Sequence, residues 1–100
     1  MNEKYFVLVE EDAGSFGMLP IHCKLFYNEN KAKDYCKRIA LAEAKKQKES
    51  YYWAKEMTDS EFEEWKRTIA EAIDRHGMTT SDEFDDMTFG VFTNREFKID

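Results

Sequence analysis

The chain has 100 residues, a length that fits one domain with one buried core and excludes two. Apolar residues make up 42% and aromatic residues 15% of it, which excludes intrinsic disorder as the default state. The formal net charge of -6 at pH 7 argues against a general nucleic-acid binder, because phosphate binding needs an excess of basic charge.

No segment has the pattern of a membrane span or a secretion signal. The longest apolar run, residues 5–9, is far shorter than the roughly 20 residues that cross a bilayer. We therefore expect a soluble cytoplasmic protein with no membrane partner. Cys23 and Cys36 lack C-x-x-C spacing, so they are predicted to be buried, reduced thiols.

The N-terminal quarter predicts a β-hairpin. Residues 4–10 are a short aromatic and β-branched run, typical of a central strand covered on both faces. Residues 11–17 carry turn-forming residues, and residues 18–27 then alternate between apolar and polar positions. Pro20 cannot donate to a ladder of hydrogen bonds, which puts the second strand at an edge of the sheet.

A helix is predicted from the N-cap residue Asn28 to about Glu49. Its inward-facing positions are apolar in the first half: Ala32, Tyr35, Cys36 and Ile39. The pattern fails at Glu43 and Lys46, so the last two turns are expected to project past the sheet or fray.

The outer face of this helix is basic. Residues 31–48 hold seven of the fifteen Lys and Arg and two of the twenty-one Asp and Glu, a net charge of +5. On a helical wheel this face collects five cations around one apolar residue: Lys33, Lys37, Arg38, Lys45, Lys48 and Leu41. Cations around an apolar residue are typical of a contact surface with an apolar anchor. The alternatives are a solvated lysine-rich helix and nucleic-acid binding.

Residues 50–57 alternate in a way that predicts a third strand. Thr58 with Glu61 makes a capping box at the start of a second helix, and Gly77 is placed to end that helix in a left-handed conformation. We therefore predict a helix over residues 59–76.

Acidic charge is concentrated in the second half of the chain. Residues 56–86 hold eleven acidic and three basic residues, a net charge of -8. Asp82, Asp85 and Asp86 lie in a short loop that lacks the ligand spacing and the glycine of an EF-hand. We therefore expect no metal and no cofactor, and the loop is either solvated or a second protein-contact surface.

No catalytic motif is present either. Cys36 and His76 fall on different predicted helices, and nothing in their spacing forms a nucleophile–base pair. We therefore expect a protein that is not an enzyme.

Residues 88–93 read as a fourth strand, and residues 96–99 as a fifth beside it. The order predicts one α+β domain over residues 1–100: a two-layer sandwich with a mostly antiparallel sheet of four or five strands and two helices on one face. The other face would be bare and partly aromatic, unless a partner or a second copy in a homo-oligomer covers it.

In its size and its absence of catalytic motifs, the chain resembles the small proteins of phages and mobile elements, a group that includes inhibitors of host defence. The leading hypothesis is a non-enzymatic protein that inhibits or regulates a protein partner through complementary charge. One alternative is single-stranded nucleic-acid binding by Phe26, Tyr52 and Phe92 on the bare sheet face. The other is a homo-oligomer that sequesters a small molecule or nucleotide.

Overall fold

The structure, a computed structural model, describes residues 3–94. Two strands, β1 (Tyr5–Asp12) and β2 (Met18–Phe26), are followed by helices α1 (Glu29–Ser50), α2 (Tyr52–Lys55) and α3 (Asp59–His76), and then by strand β3 (Met87–Thr93). A single 3-10 turn at Gly14–Phe16 lies between β1 and β2. The predicted α+β class is confirmed.

The three strands form an antiparallel sheet in the order β2-β1-β3. The predicted hairpin is present, and β1 is central as expected, since it pairs with β2 along one side and with β3 along the other. Pro20 lies on the edge strand β2, next to a break in register between Val9 and Glu10. An edge position and an irregular register are where a proline is tolerated in a sheet.

The strand predicted over residues 50–57 does not form. Helix α1 continues to Ser50, Tyr51 is extended, and Tyr52–Lys55 is a short helix. Tyr52 is 82% and Trp53 54% exposed, so their alternation does not reflect the two faces of a sheet. Among the described residues the sheet has three strands rather than four or five, and the predicted strand at 96–99 lies outside them.

Helices α1 and α3 share a core with one face of the sheet. Val7 and Val9 of β1 pack in one buried cluster with Ile69 and Ile73 of α3. The buried positions of α1 are Ala32, Cys36, Ala40, Ala44 and Gln47. Small alanine side chains let α1 approach the sheet and α3 closely.

The expectation that the last two turns of α1 project past the sheet or fray is wrong, because Ala44 and Gln47 are buried. Steps of four residues drift by about 40° around a helix of 3.6 residues per turn. The buried line therefore turns away from the positions of Glu43 and Lys46 to those of Ala44 and Gln47, which keeps the last turns of α1 packed.

Both ends of α3 follow the sequence signals. The Thr58 hydroxyl accepts from the backbone N–H of Glu61 at 3.1 Å, and the Glu61 carboxylate accepts from the N–H of Thr58 at 2.9 Å. Gly77 adopts φ 75° and its N–H donates to the carbonyl of Ile73, as a left-handed C-cap does. These caps fix where α3 begins and ends.

The two faces of the central strand β1 are buried to different degrees. Phe6 and Leu8 alternate with the buried Val7 and Val9 and are only partly buried. Leu25, which pairs with Phe6, is 41% exposed. In the part of the chain that the structure describes, the helices therefore cover one side of the sheet.

Candidate partner-binding site

Two cations of the predicted basic face are engaged within the protein. The ammonium of Lys37 lies 3.0 Å from a carboxylate oxygen of Asp74 on α3 and 3.7 Å from one of Asp34. Hydrogen bonding to Asp74 raises the pKa of Lys37 above its usual value. Lys33 pairs with Glu29 at 3.2 Å and donates to the carbonyl of Asp74 at 3.3 Å. These two lysines tie α1 to α3.

Leu41 is not an isolated apolar residue on the solvent-exposed face of α1. It is half-buried and packs against the edge of the core. The contact surface predicted along the whole outer face is therefore reduced to its C-terminal part.

That part forms a groove between α1 and α3, which we call the basic groove, with a volume of about 650 Å³. Its lining residues are Arg38, Leu41, Ala42, Lys45, Lys48, Glu49, Asp59, Phe62 and Lys66. Arg38 and Lys45 are exposed, Lys48 is half-buried, and within residues 3–94 none of the three forms an ion pair. The sequence prediction missed Phe62 and Lys66, because they come from the other helix.

A second concave surface, which we call the acidic-aromatic cleft, has a volume of about 520 Å³. It is lined by the end of α1, by α2, by α3 and by the loop before β3: Gln47, Tyr51, Trp53, Met57, Glu61, Glu64, Trp65 and residues 81–86. Six lining residues are acidic and, within the described chain, none is Lys or Arg. The predicted Asp82, Asp85 and Asp86 therefore belong to a cleft with one sign of charge.

Aromatic rings form one wall of this cleft. Trp53 and Trp65 meet edge-to-face with centroids 5.6 Å apart, Tyr51 lies 6.3 Å from Trp53, and Phe84 lies 5.6 Å from Trp65. The Trp65 indole N–H donates to the carbonyl of Glu83 at 2.8 Å, which fixes its ring. Trp53 is 54% exposed and presents apolar surface to the solvent.

The acidic loop is held in place by its own hydrogen bonds. Glu83 accepts from the backbone N–H of Thr80 at 2.9 Å, and the Thr80 hydroxyl accepts from the N–H of Asp82 at 3.2 Å. Phe84 is buried in the core, and the N–H of Asp12 at the end of β1 donates to the carbonyl of Asp86 at 2.8 Å. The loop is therefore attached to the central strand of the sheet.

The carboxylates of the cleft differ in how they are used. Glu61 belongs to the capping box, Glu83 binds Thr80, and Glu64 pairs with Arg67. The carboxylates of Asp82 and Asp85 are exposed. Neither they nor that of Asp86 makes an ion pair or a side-chain hydrogen bond with the rest of the described chain.

Sequence reasoning missed the aromatic wall, because residues 50–57 were assigned to a strand and Trp65 comes from a different helix. A signal was available in the spacing of Glu61, Glu64 and Trp65, which puts an indole and two carboxylates on one side of a helix.

The aromatic residues proposed to stack nucleic-acid bases do not share a surface. Phe26 pairs with Tyr5, and its ring lies 5.3 Å from Tyr35 of α1. Phe92 pairs with Phe6, on the opposite face of the sheet, and Tyr52 lies in α2. The predicted stacking surface is therefore not formed.

The two thiols differ from the expectation that both are buried. Cys36 is buried and Cys23 exposed, and both are free. Burial raises the pKa of Cys36 to about 12, which disfavours the nucleophilic thiolate at neutral pH. His76 ends α3 and is exposed. Over residues 3–94, no three His, Cys, Asp or Glu side chains cluster in a way that could hold a metal ion.

Comparison of the chain with protein-family models, with curated proteins and with solved structures finds no match in any of the three. No helix in the described range has both the length and the apolar character that crossing a bilayer requires.

Proposed function

We propose that the protein is a non-enzymatic binding protein of the cytoplasm that inhibits or regulates a protein partner through complementary charge. The observation that carries this proposal is that α1 and α3 together line two grooves of opposite charge, each with apolar side chains in it. Charge of both signs around apolar anchors is what steers and orients a protein partner. The resemblance to small phage and mobile-element proteins makes a component of host defence one such partner.

The charge available to a partner supports this function. Arg38, Lys45 and Lys48 on one side, and Asp82 and Asp85 on the other, form no ion pairs within the described residues. A folded protein neutralises many of its surface charges locally, whereas these remain available.

Two charge-reversal variants test the proposal. Lys45→Glu with Lys48→Glu alters the basic groove, and Asp82→Lys with Asp85→Lys alters the cleft. The matched control, Lys31→Glu with Lys46→Glu, makes the same charge change at exposed positions of α1 outside both grooves.

The wild-type protein and the three variants are used as baits on nuclease-treated extract of the source cell or its infected host, and captured proteins are identified by mass spectrometry. Association kinetics with the purified partner follow. We expect at least one groove variant to lower the association rate at low salt by about tenfold or more, with little effect of the control. Equal rates for all four proteins would refute the proposal. Capture of no protein, together with binding of a labelled single-stranded oligonucleotide at physiological salt in a separate titration, would also refute it.

A further inference from the structure

We infer that the acidic-aromatic cleft binds an arginine side chain in an exposed basic segment of the partner protein. This inference rests on the proposed function and names the chemistry that one of its two grooves recognises.

The first argument is charge. The cleft gathers six carboxylates with no cation among its described lining residues, and Asp82, Asp85 and Asp86 have no internal ion-pair partner there. Like charges around one concave surface raise the local concentration of a cation. Carboxylates accept two parallel hydrogen bonds from a guanidinium, a geometry that an ammonium cannot match.

The second argument is the aromatic wall. Guanidinium groups stack on indole faces and lose less hydration energy there than an ammonium does. Trp53 is more than half exposed, while Trp65 is held by its hydrogen bond to Glu83. The exposed indole of Trp53 packs on the ordered indole of Trp65 in a cleft that carboxylates also line, and this arrangement is suited to a planar cation.

The size of the cleft fits a long side chain with its flanking backbone. Its volume of about 520 Å³ is within the range of roughly 300 to 1,000 Å³ typical of ligand sites. An arginine in a short extended segment occupies such a space more fully than a metal ion would.

The experiment uses a fluorescently labelled peptide of glycine and serine residues with two central arginines, and the same peptide with citrulline in their place. Citrulline keeps the shape of arginine and removes the charge. Binding is followed by fluorescence anisotropy with the full chain at low salt and at about 0.15 M salt. We expect the arginine peptide to bind at least tenfold more tightly than the citrulline peptide.

Four variants locate the peptide. Trp53→Leu, and Asp82→Asn with Asp85→Asn, should each weaken binding of the arginine peptide by about tenfold, the scale of a partly desolvated cation–π contact or ion pair. Tyr52→Leu is the control for the aromatic change, since Tyr52 is 82% exposed in the same short helix but does not line the cleft. Glu11→Gln with Glu71→Gln is the control for charge, since both carboxylates are exposed, lie outside the cleft and form no ion pair within the described residues.

Equal affinity for the two peptides would overturn the inference, as would equal losses in the control variants or no binding of the arginine peptide at millimolar concentration. A captured partner that is lost with Lys45→Glu and Lys48→Glu but kept with Trp53→Leu would support the proposed function and overturn this site. Because Trp53 and Asp85 are exposed, circular dichroism should show all the variants folded.

Discussion

The one-sided core predicts a large difference in stability between two substitutions that remove the same atoms. Ile69 and Leu25 have isomeric side chains, and replacing either by alanine removes three carbon atoms. Ile69 is fully buried between α3 and the sheet, whereas Leu25 is 41% exposed on the sheet face opposite the helices.

The magnitudes follow from burial. At a fully buried site the loss combines transfer free energy with an unfilled cavity, and we expect Ile69→Ala to lower the free energy of unfolding by about 3 to 4 kcal/mol. Leu25→Ala leaves no enclosed cavity and gives up only part of a transfer free energy of about 1.5 to 3 kcal/mol, so we expect a loss of about 1 kcal/mol. The gap of about 2 to 3 kcal/mol corresponds to roughly 8 to 24 °C in Tm for a domain of this size.

Urea unfolding followed by tryptophan fluorescence measures both values, and it should be repeated at two protein concentrations. If Ile69→Ala does not fold, Ile69→Val should still cost about 1 kcal/mol. Equal losses for Ile69→Ala and Leu25→Ala would refute the reasoning, because the face that carries Leu25 would then be covered in solution. A concentration dependence of that loss would identify a second copy as the cover.

The remaining predictions concern the caps, the thiols and acid. Thr58→Ala should lower the free energy of unfolding by about 1 kcal/mol in thermal denaturation, whereas Thr68→Ala in the middle of α3 should change it little; similar effects would contradict the cap. A thiol reagent should modify Cys23 in the native protein and Cys36 only after unfolding in urea; rapid reaction of both would show that Cys36 is accessible. Hydrogen bonds from Thr58 lower the pKa of Glu61, so its contribution to stability is present above its unfolded pKa of about 4.3 and is lost as pH falls through the folded pKa. The difference in unfolding free energy between wild type and Glu61→Gln, measured by urea titration, should therefore shrink in strong acid, and a constant difference would argue against it.

Local signals in the sequence predicted the elements whose ends are set by local chemistry. The box of Thr58 and Glu61 and the glycine at Gly77 define α3 because their hydrogen bonds span only a few residues. The hairpin was likewise predictable, since a turn and an alternating pattern lie side by side in the chain.

The missed features depend on contacts between distant segments. The aromatic residues at 51–53 fit a strand, but they also fit a short helix in which Tyr52 faces solvent and Trp53 faces the cleft. The sequence pattern alone could not distinguish the two structures. The engagement of Lys37 by Asp74 joins residues on two helices, and a helical wheel of α1 has no information about α3. For the same reason the sequence predicted only residues of α1 in the basic groove, and Phe62 and Lys66 of α3 were missed.

The anchoring of the acidic loop bears on how the cleft would bind. The buried ring of Phe84, the indole contact of Trp65 with Glu83 and the backbone link from Asp12 to Asp86 hold the rim at three points. A receptor wall that is already ordered loses little conformational freedom when a ligand arrives. Most of the conformational entropy lost on association is then lost by the incoming segment. A more rigid segment, rather than a change in the cleft, should therefore give a tighter complex.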